Sequence, residues 1–84
     1  MVEAEFDIDT RLSRSARRLR AWNWMGAIST RQPEVIAILN EEAHLLILLG
    51  PKHPHHARRI GNLIVAYRRL IEAMEQRMAV KQAA

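Results

Sequence analysis

Residues 60–78 have the sequence IGNLIVAYRRLIEAMEQRM, and the spacing of their apolar side chains decides the fold. The large apolar side chains that recur in steps of three and four residues are Ile60, Leu63, Tyr67, Leu70 and Met74. Steps of this size place all of them on one face of an α-helix. A flanking apolar row repeats every seven residues and widens this face to three positions in seven, as in helical bundles. The pattern predicts a long C-terminal helix, about 54–82, that packs in a small bundle.

The segment before it predicts a shorter helix, about 33–49. Gly50 and Pro51 follow, and a glycine commonly ends a helix in a left-handed conformation while a proline cannot continue one. The last turn, residues 45–49, has the sequence LLILL and is apolar on every side. Such a turn has to be covered on every side. Two other helices of an 84-residue chain have too little surface for this, so we expect a second copy or another protein to cover the rest.

The N-terminal part predicts another helix, about 10–28. Asp9 or Thr10 is its expected N-cap, because a side-chain oxygen there accepts a hydrogen bond from an otherwise unpaired backbone amide. The apolar stripe of this helix comprises Leu12, Ala16, Leu19 and Trp22. Beyond this stripe the apolar face rotates to Trp24, Met25 and Ile28. The rotation makes these last three residues candidates for contact with a partner.

Together these segments predict an all-α fold. A chain of 84 residues is short enough to form one domain. Residues 1–9 alternate acidic and apolar types but have no second strand-like segment to pair with, so we expect an extended acidic tail there and a single helical domain over residues 10–84. The helices should form a three-helix antiparallel arrangement with a long C-terminal helix, completed by dimerisation or by a partner.

The formal net charge is only +4, but the charges are distributed unevenly. Residues 10–32 carry six arginines and no acid, and residues 50–69 carry five basic residues and no acid. If the two segments pack side by side, they form one basic face that suits phosphate groups or an acidic protein. The candidate contacts are Arg11, Arg14, Arg17, Arg18, Arg20, Arg58, Arg59, Arg68 and Arg69.

The sequence disfavours most kinds of metal or cofactor site. The chain has no cysteine, which excludes disulfides, zinc–thiolate sites and thiol nucleophiles. The histidines are His44, His53, His55 and His56. Imidazoles bind zinc, copper or nickel, but His55 and His56 diverge by about 100° on a helix. We predict no metal and no cofactor, and metal binding by these histidines stays an open alternative.

Catalysis is also disfavoured. The adjacent carboxylates Glu41 and Glu42 diverge around a helix and do not form a catalytic pair. We therefore expect a non-enzymatic regulatory or adaptor protein, of the inhibitor, anti-activator or co-chaperone type, that acts by helix-mediated protein–protein interaction with another protein, with itself, or both. The expected interface comprises Trp24, Met25, Ile28, Leu45, Leu46, Leu48 and Leu49.

A nucleic-acid-binding function is the alternative. Residues 17–24, RRLRAWNW, interleave arginines with tryptophans, and these residue types neutralise phosphates and stack on bases. Such an arginine-rich helical face would contact the phosphate backbone and give little sequence readout.

The expected location is the cytoplasm, with no membrane partner. The N-terminal sequence is acidic, unlike a secretory signal. No apolar run exceeds five residues, whereas a membrane-spanning helix needs about 20.

Overall fold

The computed structural model describes residues 7–25 and 32–83, which form three α-helices and no strand. The elements, in chain order, are α1 (Ile8–Met25), α2 (Gln32–Leu49), two short 3-10 helices (Gly50–Lys52 and Pro54–His56) and α3 (Ala57–Ala83). The predicted all-α class is confirmed, and so is the long C-terminal helix, since α3 has 27 residues.

Helix α1 begins earlier than its sequence predicts. Asp7, not Asp9 or Thr10, is the N-cap: one of its carboxylate oxygens accepts from the Asp9 amide at 3.0 Å, and the other accepts from the Thr10 hydroxyl at 3.0 Å. The Asp7 carbonyl accepts the Arg11 amide at 2.9 Å. Ile8 explains the shift, because it packs against the core and so belongs to the helix. Residues 8 and 9 are thus helical rather than part of a tail, and residues 1–6 lie outside the described part.

Helix α2 ends at Leu49, as predicted, but the backbone conformation that ends it differs from the predicted one. Leu49 is still in the right-handed helical region, and the chain tightens there into the 3-10 helix Gly50–Lys52. No described glycine has a positive φ, so the prediction that Gly50 ends the helix in a left-handed conformation is wrong. A second 3-10 turn at 54–56 leads directly into α3. The predicted C-terminal end of the first helix, Ile28, lies outside the described residues.

The core is built mainly from α2 and α3. The buried apolar residues are Leu12 of α1, Val35, Leu39, Ala43 and Leu46 of α2, and Ile60, Leu63, Tyr67, Leu70, Ile71 and Met74 of α3. All five positions of the predicted α3 seam are among them, which confirms that prediction. Each fully buried leucine or isoleucine contributes about 1.5–3 kcal/mol. Helix α1 supplies one fully buried apolar residue, Leu12, and its other apolar side chains that pack partly buried against the core are Ile8, Ala16, Leu19 and Trp22.

Helix α3 packs along α2 more extensively than along α1. The polar contacts between α1 and α3 occur in the same order along both helices: Asp9 contacts Arg59, and Ser15 contacts Tyr67. These two helices therefore run in the same direction.

Candidate protein-interaction site

A buried carboxylate joins α2 to α1. Glu42 is only 4% exposed. The Arg11 guanidinium donates to its two oxygens at 2.7 and 3.3 Å, and the Ser15 hydroxyl donates to it at 2.8 Å. A guanidinium nitrogen of Arg18 lies 3.8 Å from it. A buried charge is tolerated only when it is paired and hydrogen-bonded, and this one is.

Helix α3 enters the same cluster through Tyr67. Its hydroxyl donates to the Ser15 carbonyl oxygen at 2.8 Å and lies 3.2 Å from the Ser15 hydroxyl. Burial raises the pKa of Tyr67 above its usual value of 10.0; the hydrogen bond with Ser15 opposes this shift and the Glu42 charge adds to it. We call Arg11, Ser15, Glu42 and Tyr67 the Glu42 network.

Every member of the Glu42 network is satisfied from within the chain. Among the described residues, no buried side-chain nitrogen or oxygen lacks a hydrogen-bond partner. A site that binds a polar ligand usually presents unpaired donors or acceptors, and this network presents none in the described ranges. Its geometry favours a structural role, which is to fasten α1 to the other two helices.

Sequence reasoning did not identify Glu42 as a core residue, although a signal was present. The buried positions of α2 before and after it are Val35, Leu39 and Leu46. Steps of four, three and four residues from Val35 lead through Leu39 and position 42 to Leu46, so the glutamate occupies a place on the core face. A carboxylate in that register indicates a buried partner, and Arg11 is that partner.

The predicted interface separates into buried and exposed parts. Leu46 is fully buried in the chain's own core and has no exposed surface to offer a partner, and Leu49 packs at the core edge. Leu45 and Leu48 remain 45% and 53% exposed. Trp24 is 74% exposed at the end of α1. The side chain of Met25, and the whole of Ile28, lie outside what the structure describes.

Three of the four large apolar residues of α2 that are exposed form a second row, distinct from the core row, whereas the fourth, Ile47, lines the groove between α2 and α3. Ile38 is also exposed, and Ile38, Leu45 and Leu48 are separated by steps of seven and three residues. Glu41, likewise exposed, falls between them in the same helical register. We call Ile38, Glu41, Leu45 and Leu48 the α2 outer face.

The α2 outer face borders basic side chains of α1. A cavity of about 240 Å³ between the two helices is lined by Arg11, Arg14, Ser15, Arg18, Glu42 and Leu45. Leu45 therefore lies next to Arg14 and Arg18, both of which are at the surface. This side of the molecule combines aliphatic side chains with one acid and two arginines.

Two of the candidate arginines are hydrogen-bonded to described residues of the chain, and a third, Arg18, lies within ion-pair distance of Glu42. Arg11 pairs with Glu42. Arg59 donates to the Asp9 carboxylate at 2.9 Å and to the Ser13 hydroxyl at 3.0 Å. These bonds attach the start of α3 to the start of α1 and compete with any contact between Arg11 or Arg59 and a phosphate.

The remaining arginines are distributed around the molecule. Arg20 and Arg69 line a groove between α1 and α3, whereas Arg68 lines a groove between α2 and α3 together with Glu72 and Glu75. Arg14, Arg17, Arg18 and Arg58 are exposed. Adjacent arginines of α3 thus face different grooves, and the structure does not gather all the candidates into the single basic face expected from the sequence.

The four histidines do not converge. His56 Nε2 lies 3.5 Å from the Asp9 carboxylate, and the rings of His53 and His56 meet edge to face at 6.4 Å. His44 lines the groove between α2 and α3. Within residues 7–25 and 32–83, no group of three or more histidine, aspartate or glutamate side chains is arranged to hold a metal ion.

No described helix is both long enough and apolar enough to cross a membrane.

In comparisons with known proteins, no family model, no curated protein and no solved structure matches the chain.

Proposed function

We propose that the chain is a small non-enzymatic regulatory or adaptor protein of the inhibitor, anti-activator or co-chaperone type, which acts in the cytoplasm by helix-mediated protein–protein interaction. The observation that carries this proposal is the α2 outer face, where three large aliphatic side chains are exposed in a helical row. Exposed apolar rows of this kind on soluble proteins mark sites of association.

The spacing of the α2 outer face suits a helix as its partner. Steps of three and seven residues are those of a coiled-coil seam, into which side chains of a second helix interdigitate. Burying the exposed half of each of the three aliphatic side chains contributes about 1 kcal/mol per side chain. The three side chains of a single α2 outer face therefore give weak binding. A two-fold symmetric contact buries six such side chains and has a larger favourable free energy of association.

A second copy of the chain is the partner that we propose first. The α2 outer face carries Glu41, and its neighbours on α1 are Arg14 and Arg18. In a two-fold symmetric dimer the same patch meets itself, so a patch that carries both signs of charge is able to complement its copy. This contact would complete the three-helix antiparallel arrangement, and the shared direction of α1 and α3 agrees with such an arrangement.

Light scattering over a concentration series tests the proposal. We expect the wild-type chain to exceed the monomer mass of 9.7 kDa at high concentration, and Leu45→Glu/Leu48→Glu to remain monomeric. Val65→Glu is a matched control, because Val65 is 48% exposed but lies on α3. It should associate like the wild type.

The proposal fails if the wild-type chain is monomeric throughout and if Leu45→Glu/Leu48→Glu retains every protein that the wild type captures from its host. It also fails if Val65→Glu abolishes association as completely as the α2 variant does. Capture of a different protein through the α2 outer face, with no dimer, would retain the interaction function and overturn the second copy as its partner.

Nucleic-acid binding is the second candidate, and one observation favours it. Arg17, Arg20 and Trp24 are all exposed on α1 and are spaced by three and four residues, so they share one face. Duplex DNA at about 50 mM salt should then bind, with an affinity that falls steeply with added salt and is lost in Arg17→Glu/Arg20→Glu. No binding at low salt would exclude this candidate.

A further inference from the structure

The groove between α1 and α3 differs in its lining from the two other cavities described above. It has a volume of about 330 Å³. Its floor comprises Leu19, Ala66, Leu70 and Ala73. Its rim comprises Arg20, Asn23 and Arg69. We call this the α1–α3 groove, and it combines an apolar floor with two cations.

No residue of the described ranges 7–25 and 32–83 compensates the positive charge of the α1–α3 groove. Both arginines are exposed, and neither has an ion pair or side-chain hydrogen bond to a described residue. None of the described residues that line the groove is acidic. In the groove between α2 and α3, by contrast, Arg68 is accompanied by Glu72 and Glu75, and the cavity between α1 and α2 contains Glu42.

The spacing of the small side chains that line the α1–α3 groove suits a helix. Ala66 and Ala73 are seven residues apart on α3, which corresponds to about 10 Å or two helical turns. Small side chains at both positions allow another backbone to approach closely. A helix in such a groove inserts apolar side chains at spacings of three, four and seven residues.

We propose that the α1–α3 groove binds an amphipathic helix of another protein, one whose apolar stripe is flanked by aspartate or glutamate. The apolar stripe would cover Leu19 and Leu70, and the flanking carboxylates would pair with Arg20 and Arg69, for which the bidentate geometry of arginine is well suited. A nucleic acid fits this groove less well, since none of the described residues that line it is aromatic and able to stack on a base.

This surface is distinct from the α2 outer face, because it lies on the α3 side of α1. The chain would therefore present two docking surfaces of different chemistry, as an adaptor requires. Their variants test them separately: Leu45→Glu should abolish association through α2 and leave the α1–α3 groove intact.

The test uses a fluorescein-labelled synthetic helix of about 15 residues, with leucines at spacings of four and three and glutamates flanking them. Fluorescence anisotropy at about 50 mM salt measures its binding to the full chain, and a peptide with lysine at every glutamate position is the control probe. We expect the acidic peptide to bind at least tenfold more tightly than the lysine peptide.

Charge reversal in Arg20→Glu/Arg69→Glu should weaken binding of the acidic peptide at least tenfold. A tenfold change in Kd corresponds to about 1.4 kcal/mol of binding free energy. Arg68→Glu is the matched control, because it changes the neighbouring arginine on the other side of α3, and it should change the affinity less than twofold. Ala66→Leu/Ala73→Leu fills the floor without altering charge and should also weaken binding.

Equal binding of the two peptides, or unchanged affinity in Arg20→Glu/Arg69→Glu, would overturn the proposal. It would also be overturned if duplex DNA displaced the peptide and bound more tightly, which would assign the arginines to a nucleic acid. If circular dichroism shows that the charge-reversal variant is unfolded, Ala66→Leu/Ala73→Leu decides: undiminished binding by this variant contradicts docking in the groove.

Discussion

Removal of the Arg11 guanidinium is the most informative perturbation of the Glu42 network. Arg11→Ala leaves a buried carboxylate with the Ser15 hydroxyl at 2.8 Å and an Arg18 nitrogen at 3.8 Å. Breaking a buried ion pair from one side costs about 3–5 kcal/mol, because a charge then stays buried without its partner. Arg18 is close enough to compensate part of that charge, so we expect a loss of about 2–3 kcal/mol in the free energy of unfolding.

Two comparison variants separate the cost of a buried charge without its partner from the loss of the attraction between Arg11 and Glu42. Glu42→Gln leaves Arg11, whose side chain is a quarter exposed and can turn to water, so it should cost only about 1–2 kcal/mol. Arg11→Met/Glu42→Leu leaves no charge behind and should lie within about 1 kcal/mol of the wild type. The expected order of destabilisation is therefore the single arginine variant first, the glutamine variant second and the double variant last.

Urea unfolding followed by circular dichroism gives these free energies by linear extrapolation. All variants have to be compared at one protein concentration, since association would raise apparent stability. Arg14→Ala, one helical turn away at an exposed position, is the control and should stay within about 0.5 kcal/mol of the wild type. An Arg11→Ala variant as stable as this control, or a double variant as unstable as Arg11→Ala, would refute the reasoning.

Three further predictions concern the cap, the core and the tyrosine. Asp7→Ala should cost about 1 kcal/mol of unfolding free energy through loss of the N-cap, and no change in urea midpoint would contradict that role. Leu46→Ala should cost about 2–5 kcal/mol whereas Leu45→Ala costs far less, and equal costs would contradict their different burial. The raised pKa of Tyr67 in the folded state means that its contribution to stability is complete below pH 10 and is lost as pH rises above 10. Urea midpoints at pH 9 to 11 should therefore fall less in Tyr67→Phe than in the wild type, and since the chain has one tyrosine, tyrosinate absorbance can follow the titration directly.

The α3 seam and the end of α2 could be predicted because helix periodicity is a local property of the sequence. The same periodicity, continued from Val35 and Leu39, also distinguishes Leu46 from Leu45, although their turn is apolar throughout. Which helix faces which is not local. The bond between Arg11 and Glu42 spans 31 positions, and no spacing rule within one helix contains it.

The arginine distribution shows the same limit. Periodicity identifies Arg68 and Arg69 as outward-facing, but their separation into different grooves depends on where α1 and α2 lie around α3. The choice of Asp7 over Asp9 as N-cap has a similar origin. Both residues are aspartates and are equally good N-caps by type. The packing of the partly buried Ile8 against the assembled core favours Asp7.

The contacts of α1 with both other helices have a consequence for the order of folding. Helices α2 and α3 are joined by the short connection 50–56, so their pairing closes a small loop at little entropic cost. Helix α1 packs apolar side chains against that core and joins the Glu42 network, whose partners come from both other helices, so its full set of contacts forms only when they have assembled. An 18-residue helix on its own is marginal in water. Of the three described helices, α1 is therefore synthesised first and completes its contacts only when both later helices are present.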